Sequence, residues 1–160
     1  MTIKHVSVLA LILLGSLTAS AQKLQDVPLP PSQNPSGSDL PIAGGVWAGN
    51  TLYVSGWLDP DRKTHPDTTS QTVAILKDLQ TFLASQKLTM GNVAMMRVYL
   101  GPDPAKDNKI DFAGMTAGYR QFFGTKEQPH KPARTTLQAS LPAVSSGGLV
   151  EIDLIAVRPK

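Results

Sequence analysis

Cysteine occurs nowhere in the 160 residues. Its absence excludes disulfides, thiolate nucleophiles and cysteine-ligated metals, so stability must come from a core or from assembly. A strong excess of one charge is also missing: 15 basic residues stand against 12 acidic ones, a formal net charge of +3. The lysines and arginines are scattered, with no basic run interleaved with aromatics, so neither nucleic acid nor a membrane surface is an expected partner. Phosphate-cradling glycine patterns of the GxxxxGK and GxGxxG types do not occur. Ser55-Gly56 lacks the flanking glycines of a nucleophile elbow. The three histidines, His5, His65 and His130, form no ligand spacing with aspartate or glutamate, so no metal centre is expected.

The one long apolar run lies at the amino terminus, where residues 1–21 read "MTIKHVSVLALILLGSLTASA". Lys4 precedes an apolar stretch from Val6 to Leu14, and Ala19-Ser20-Ala21 supplies small residues for cleavage. The run is shorter than the roughly 20 apolar residues a membrane span takes. The pattern predicts a signal peptide and a mature chain that begins near Gln22, is periplasmic or secreted, and keeps no membrane attachment. Loss of Lys4 leaves 14 basic against 12 acidic residues, and the remaining length suits one domain.

Residues 23–41 hold five prolines and little that could bury, so 22–40 read as an extended tether to which no structure is assigned. The domain is expected to occupy 41–160. "GGVWAGNTLYVSGWL" contains two apolar-rich runs joined at Gly49-Asn50, with the period-2 alternation of half-buried strands at Trp47, Leu52 and Val54. Val73, Leu76, Leu79 and Leu83 recur at helical spacing, widened by Ile75 and Phe82, and Thr68, Thr69 or Ser70 is available as the cap. "NVAMMRVYL" is a third strand. A second helix carries Phe112, Met115, Tyr119 and Phe122 on one face and stops at Gly124; the stripe reads as core. Two strands near 133–141 and 148–157 complete the order ββαβαββ. Two helices on one sheet face make a two-layer α+β domain, and the bare opposite face invites self-association.

Charge on the last two strands is the feature left to explain. In "GLVEIDLIAV" the residues Val150, Ile152, Leu154 and Ala156 point one way, while Glu151 and Asp153 point the other beside Ile155 and Val157. A carboxylate in an apolar strand is costly unless partnered. In "KPARTTLQASLPAV", Arg134, Thr136, Gln138 and Ser140 share a face opposite Thr135, Leu137 and Ala139. Arg134 is a surface charge, half of an ion pair, or the fork that holds a substrate carboxylate. If the last two strands pair as a hairpin, the count does not set Arg134 and Glu151 side by side, which leaves a meeting across a subunit boundary open.

"AGNTLYVSG", the Gln71-Thr72 pair, "VYL", "YRQFF", "PARTTLQASLP" and "VEIDLIAV" follow one another in the order and spacing of the RidA (YjgF-type) family of reactive-intermediate deaminases. The chain resembles that family over residues 41–157. The resemblance implies a chorismate-mutase-like homotrimer, with helices outside, sheets around a central barrel and three clefts between subunits. It also implies cofactor-independent hydrolysis of 2-imino or enamine acids to 2-keto acids and ammonia. Arg134 matches the arginine that grips the substrate carboxylate, and Glu151 the glutamate that positions or activates water. Backbone groups around Ala133 and Thr135 support the ligand, and Gly56 matches a glycine where a side chain would intrude on the cleft.

The same resemblance marks departures. Ile42-Ala43-Gly44 replaces the family's Tyr-Ser-Gln segment, Thr116 stands at the place of an asparagine in the second helix, and Thr136 at that of a cysteine. An exported chain also lies away from the cytoplasmic enzymes that make imino acids. A catalytically weak trimer that binds small carboxylates or metabolites in the same clefts is therefore the alternative reading.

Overall fold

The computed structural model describes residues 23–59, 61, 63–141 and 148–159. The leader read at 1–21 and nearly all of the "PAVSSGG" connection lie outside the described residues. Six strands and two helices follow in chain order: β1 (Leu24–Val27), β2 (Gly45–Ala48), β3 (Thr51–Leu58), α1 (Thr68–Ser85), β4 (Val93–Leu100), α2 (Phe112–Tyr119), β5 (Ala133–Gln138) and β6 (Val150–Val157). They form one mixed sheet in the order β1-β2-β3-β6-β4-β5, in which only β4 and β5 run parallel. From residue 41 onward the ββαβαββ order is the expected one.

Two features of the topology are not readable from the sequence. The last two strands do not form a hairpin: β6 inserts between β3 and β4, and β5 pairs with the far side of β4. The segment read as a tether opens with an edge strand, β1, laddered against β2 from Leu24↔Ala48 to Val27↔Gly45. Its proline-rich continuation is also tied down, because the Gln33 amide donates to the Leu58 carbonyl at 2.9 Å and accepts from the Leu58 N–H at 3.2 Å. That amide occupies the edge of β3 beyond the last residue paired with β2, where backbone groups would otherwise lack a partner.

The tight β2–β3 turn is made by Gly49, whose φ of +59° is the left-handed value glycine tolerates. Helix α1 is capped one residue earlier than expected. Asp67 accepts from the Ser70 N–H at 2.8 Å and Ser70 returns a bond to the Asp67 backbone, a reciprocal box that satisfies orphan groups of the first turn. Its buried face is Ile75, Leu76, Leu79, Phe82 and Leu83; Val73, expected in the same stripe, is only half-buried at the mouth of a surface cavity.

The core lies between these helix residues and the inward positions of the sheet: Leu52, Val54 and Trp57 on β3, Met96, Val98 and Leu100 on β4, and Val150, Ile152, Leu154 and Ala156 on β6. Trp57 meets Phe82 edge-on at 5.0 Å between ring centres. Helix α2 buries Met115 and comes close to α1 at Gly118, where an added Cβ would stand 2.9 Å from the Thr69 carbonyl oxygen and the Thr72 Cβ. The helix ends at Tyr119, and Phe123 in the following turns completes the buried set. Among the described residues no helix covers the outward face of the sheet. It exposes Tyr53, Leu137 and Val157 at 48%, 42% and 42%.

Candidate active site on two faces of the sheet

Arg134 is the second residue of an edge strand, preceded by the buried Pro132, whose missing N–H suits the entry to such a strand. Its register partner is Met96, itself paired with Leu154, and both are buried against the helices. Arg134 therefore points to the helix side. There its guanidinium lies 4.5 Å from the centre of the Tyr119 ring and 5.8 Å from that of Phe112, with one Nη 3.7 Å from the Met115 sulfur. Aromatic faces attract a cation without neutralising it. No carboxylate among the described residues pairs with it. Burial pushes the Tyr119 hydroxyl above its ordinary pKa, against the downward pull of Arg134.

A cavity of about 410 Å³ opens in front of this arginine, walled by Thr116, Tyr119, Arg120, Phe123, Lys131 and Arg134 together with Pro132. The hydroxyl oxygens of Thr116 and Thr136 are shielded from solvent and have no hydrogen-bond partner among the described residues. A buried hydroxyl without a partner is unfavourable, and of the two Thr116 lines the cavity, while Thr136 follows Arg134 by two residues on the same face of β5. Thr116 and Arg134, both expected at the site, are brought to one cavity. Ala133 and Thr135 are exposed and alternate with Arg134, so their side chains face the other way.

Glu151 occupies the opposite face, opposite Tyr99 on β4 and Leu58 on β3. The approach to it is set by a bulge in β3. Val54 pairs with Leu154 and Trp57 with Ile152, so one extra residue enters β3 across from Asp153. The bulge lets Val54 and Trp57 both reach the core and places Ser55-Gly56 outward. There the Glu151 carboxylate lies over Gly56, and a methyl group added at that glycine would overlap Glu151 Oε1. The Ser55 hydroxyl is engaged, donating to the Ala43 carbonyl at 2.7 Å.

Burial, and then the charge of Asp153, hold the Glu151 carboxyl above its ordinary pKa. Asp153 is itself paired: Arg97 Nε donates to it at 2.7 Å and the Tyr99 hydroxyl at 3.0 Å. Glu151 has no ion-pair or side-chain hydrogen-bond partner among the described residues. The chain thus sets Arg134 with Thr116 on the helix side of the sheet and Glu151 with Gly56 on the other. They do not meet within one copy.

Sequence reasoning missed Arg120, Lys131 and the aromatic seat of Arg134, which come together only when α2 and β5 pack side by side. It also missed a larger cavity of about 630 Å³ at the start of α1. There the nearly buried Asp59 carboxylate is 2.8 Å from His65 Nδ1 and accepts the Asp61 N–H, and Gln71 donates to the His65 carbonyl while accepting the Leu149 N–H. These bonds organise the loop into α1. Among the described residues no three histidine, aspartate or glutamate side chains converge closely enough to hold a metal ion. His130 is engaged with backbone, its Nε2 donating to the Val93 carbonyl at 2.7 Å.

A family model described as endoribonuclease L-PSP matches residues 41–158. A RutC family protein of Pyrococcus horikoshii is 30% identical over 122 residues, covering 74% of this chain and 87% of the relative. A second, from Saccharolobus solfataricus, is 32% identical over 120 residues and covers 72% of this chain and 86% of its own. The crystal structure of a YjgF family protein from Neisseria meningitidis superposes with a TM-score of 0.64 at 19% identity, over 87% of this chain and 98% of that one. The last likeness is one of fold.

Proposed function

The chain belongs to the endoribonuclease L-PSP family, and from that membership we propose that it is an exported, cofactor-independent deaminase that hydrolyses 2-imino or enamine acids to 2-keto acids and ammonia. The observation that carries the reading is the unpaired guanidinium of Arg134, seated on Tyr119 and facing a cavity with no carboxylate in its wall. Such a group binds a substrate carboxylate through two parallel charge-assisted hydrogen bonds, worth roughly 1.5–3 kcal/mol. The leader-like residues 1–21 support export to the periplasm or medium.

Arg134 and Glu151 lie on opposite faces of the sheet, so a complete site takes two copies. The bare outward face, with Tyr53, Leu137 and Val157 exposed, supports self-association, and a trimer with clefts between copies is the assembly we propose. In such a cleft Arg134 of one copy fixes the imino acid and Glu151 of another faces its imine carbon. A water oxygen adds to that carbon and Glu151 accepts the proton, a role suited to a carboxylate whose pKa is raised above its ordinary value. Glu151 returns that proton to the carbinolamine nitrogen, the C–N bond breaks with its electron pair leaving on nitrogen, and the hydroxyl O–H pair becomes the new carbonyl bond as its proton passes to the departing nitrogen. Ammonia leaves and Glu151 returns to its charged form. Imines hydrolyse readily in water, so positioning and modest acid–base help are sufficient.

The test is release of keto acid and ammonia from freshly generated 2-imino acids, comparing the mature chain with Arg134→Ala at equal oligomer content. Wild-type turnover that the substitution removes, with the oligomer intact, is the expected result. If the wild type does not exceed the buffer rate while Arg134→Ala still abolishes binding of small carboxylates, the protein is a metabolite-binding assembly instead.

A further inference from the structure

We propose that the Arg134 cavity selects imino acids bearing a second anionic group, that is, 2-imino dicarboxylates. The inference rests on the deaminase reading for the chemistry but on separate residues for the selectivity. Arg134 is one of three cations lining the cavity, with Arg120 and Lys131, and no aspartate or glutamate lines it. None of the three takes part in an ion pair among the described residues. A monocarboxylate held by Arg134 leaves two positive charges facing the same space uncompensated.

The arrangement is specific to this cavity. The larger cavity at the start of α1 is lined by Asp59, Asp61, Asp67 and Asp78 against His65 and Lys77, the reverse balance. The cations also enter from fixed places. Arg120 is the C-terminal cap residue of α2, directly after Tyr119, and the Lys131 stem lies over Gly124, where an added Cβ would meet its Cε at 3.0 Å. Tyr119 and Phe123 add aromatic surface to the wall that the three cations share. At about 410 Å³ the space lies in the usual small-molecule range of roughly 300–1,000 Å³.

The experiment uses the full mature chain and an Arg120→Gln/Lys131→Gln double variant, both positions being exposed. Binding of two stable product acids, 2-oxoglutarate and 2-oxobutanoate, is measured by titration calorimetry at low and moderate salt. Turnover of the matching imino acids, made in situ by an amino-acid oxidase, is followed in parallel. A single charge-assisted contact corresponds to about a tenfold effect or more. The wild type is therefore expected to bind the dicarboxylate at least about tenfold more tightly, and the double variant to bring the ratio close to one. Equal binding of the two acids by the wild type, or a preference that survives the double substitution, overturns the proposal. Preference for the dicarboxylate without turnover of either imine sinks the deaminase reading and leaves the selectivity standing.

Discussion

The two faces of the single sheet are made by alternate residues of the same strands, yet they answer to different constraints. On β6, Val150, Ile152, Leu154 and Ala156 are sealed under the helices, whereas Glu151 and Asp153, between them, face outward with Arg97 and Tyr99. A charge on the inner face is tolerated where the helix layer thins, at edge strand β5, and Arg134 is placed there with Tyr119 as its neighbour. Removing one of the sealed β6 side chains is therefore expected to weaken the fold, and removing Glu151 the proposed chemistry.

Substitutions at adjacent β6 positions separate these roles. Glu151→Gln is expected to lower imino-acid turnover by about 10²–10⁴-fold, the usual contribution of a positioned acid–base group, in a stopped keto-acid assay. Its stability should move the other way. Because the folded pKa of Glu151 lies above its unfolded value, native protein holds a proton that unfolded chain has lost, and stability falls as pH rises through that window. The Gln variant lacks this fall. In urea titrations its advantage should open as pH rises above the ordinary carboxyl range and close again below it. Wild-type turnover should drop as pH is lowered through the raised Glu151 pKa.

Leu154→Ala, three residues away on the buried face, should cost about 2–5 kcal/mol of unfolding free energy, read from the same urea titrations. If it spared stability and cut turnover alone, the division of labour between the faces would be wrong. Gly56→Ala should have a smaller effect, about tenfold on turnover, since the new methyl group displaces the Glu151 carboxylate while the bulge persists. Smallest of all, Gln33→Ala should lower stability by about 1 kcal/mol through loss of the paired amide contacts with Leu58. A melting curve unchanged by that substitution would show the 28–44 segment to be an unattached tether after all.

Periodicity made the helix stripe of Ile75, Leu76, Leu79 and Leu83 legible, along with the alternation of β6 and the run of strands and helices. It did not reveal which strands are neighbours. Parallel pairing of β4 with β5 is joined through α2 and a long connection, and nothing local in "ARTTLQ" distinguishes it from half of a hairpin. Strand β1 escaped notice because four residues, three of them exposed, leave too little alternation to read. The extra residue at Ser55-Gly56 is likewise invisible until Val54 and Trp57 are both seen to be buried. For the site, Arg134 and Glu151 stood out as charges on strands, but Arg120 and Lys131 lie in unrelated stretches of sequence and acquire meaning only through a shared cavity.

The close approach at Gly118 sets how far the wall carrying Thr116 and Tyr119 stands from the rest of the domain. A hydrogen in place of a methyl group fixes that distance from behind, out of reach of any ligand. The aperture of this cleft can accordingly be retuned by residues that line no part of it, so chains with the same lining residues need not accept the same molecules.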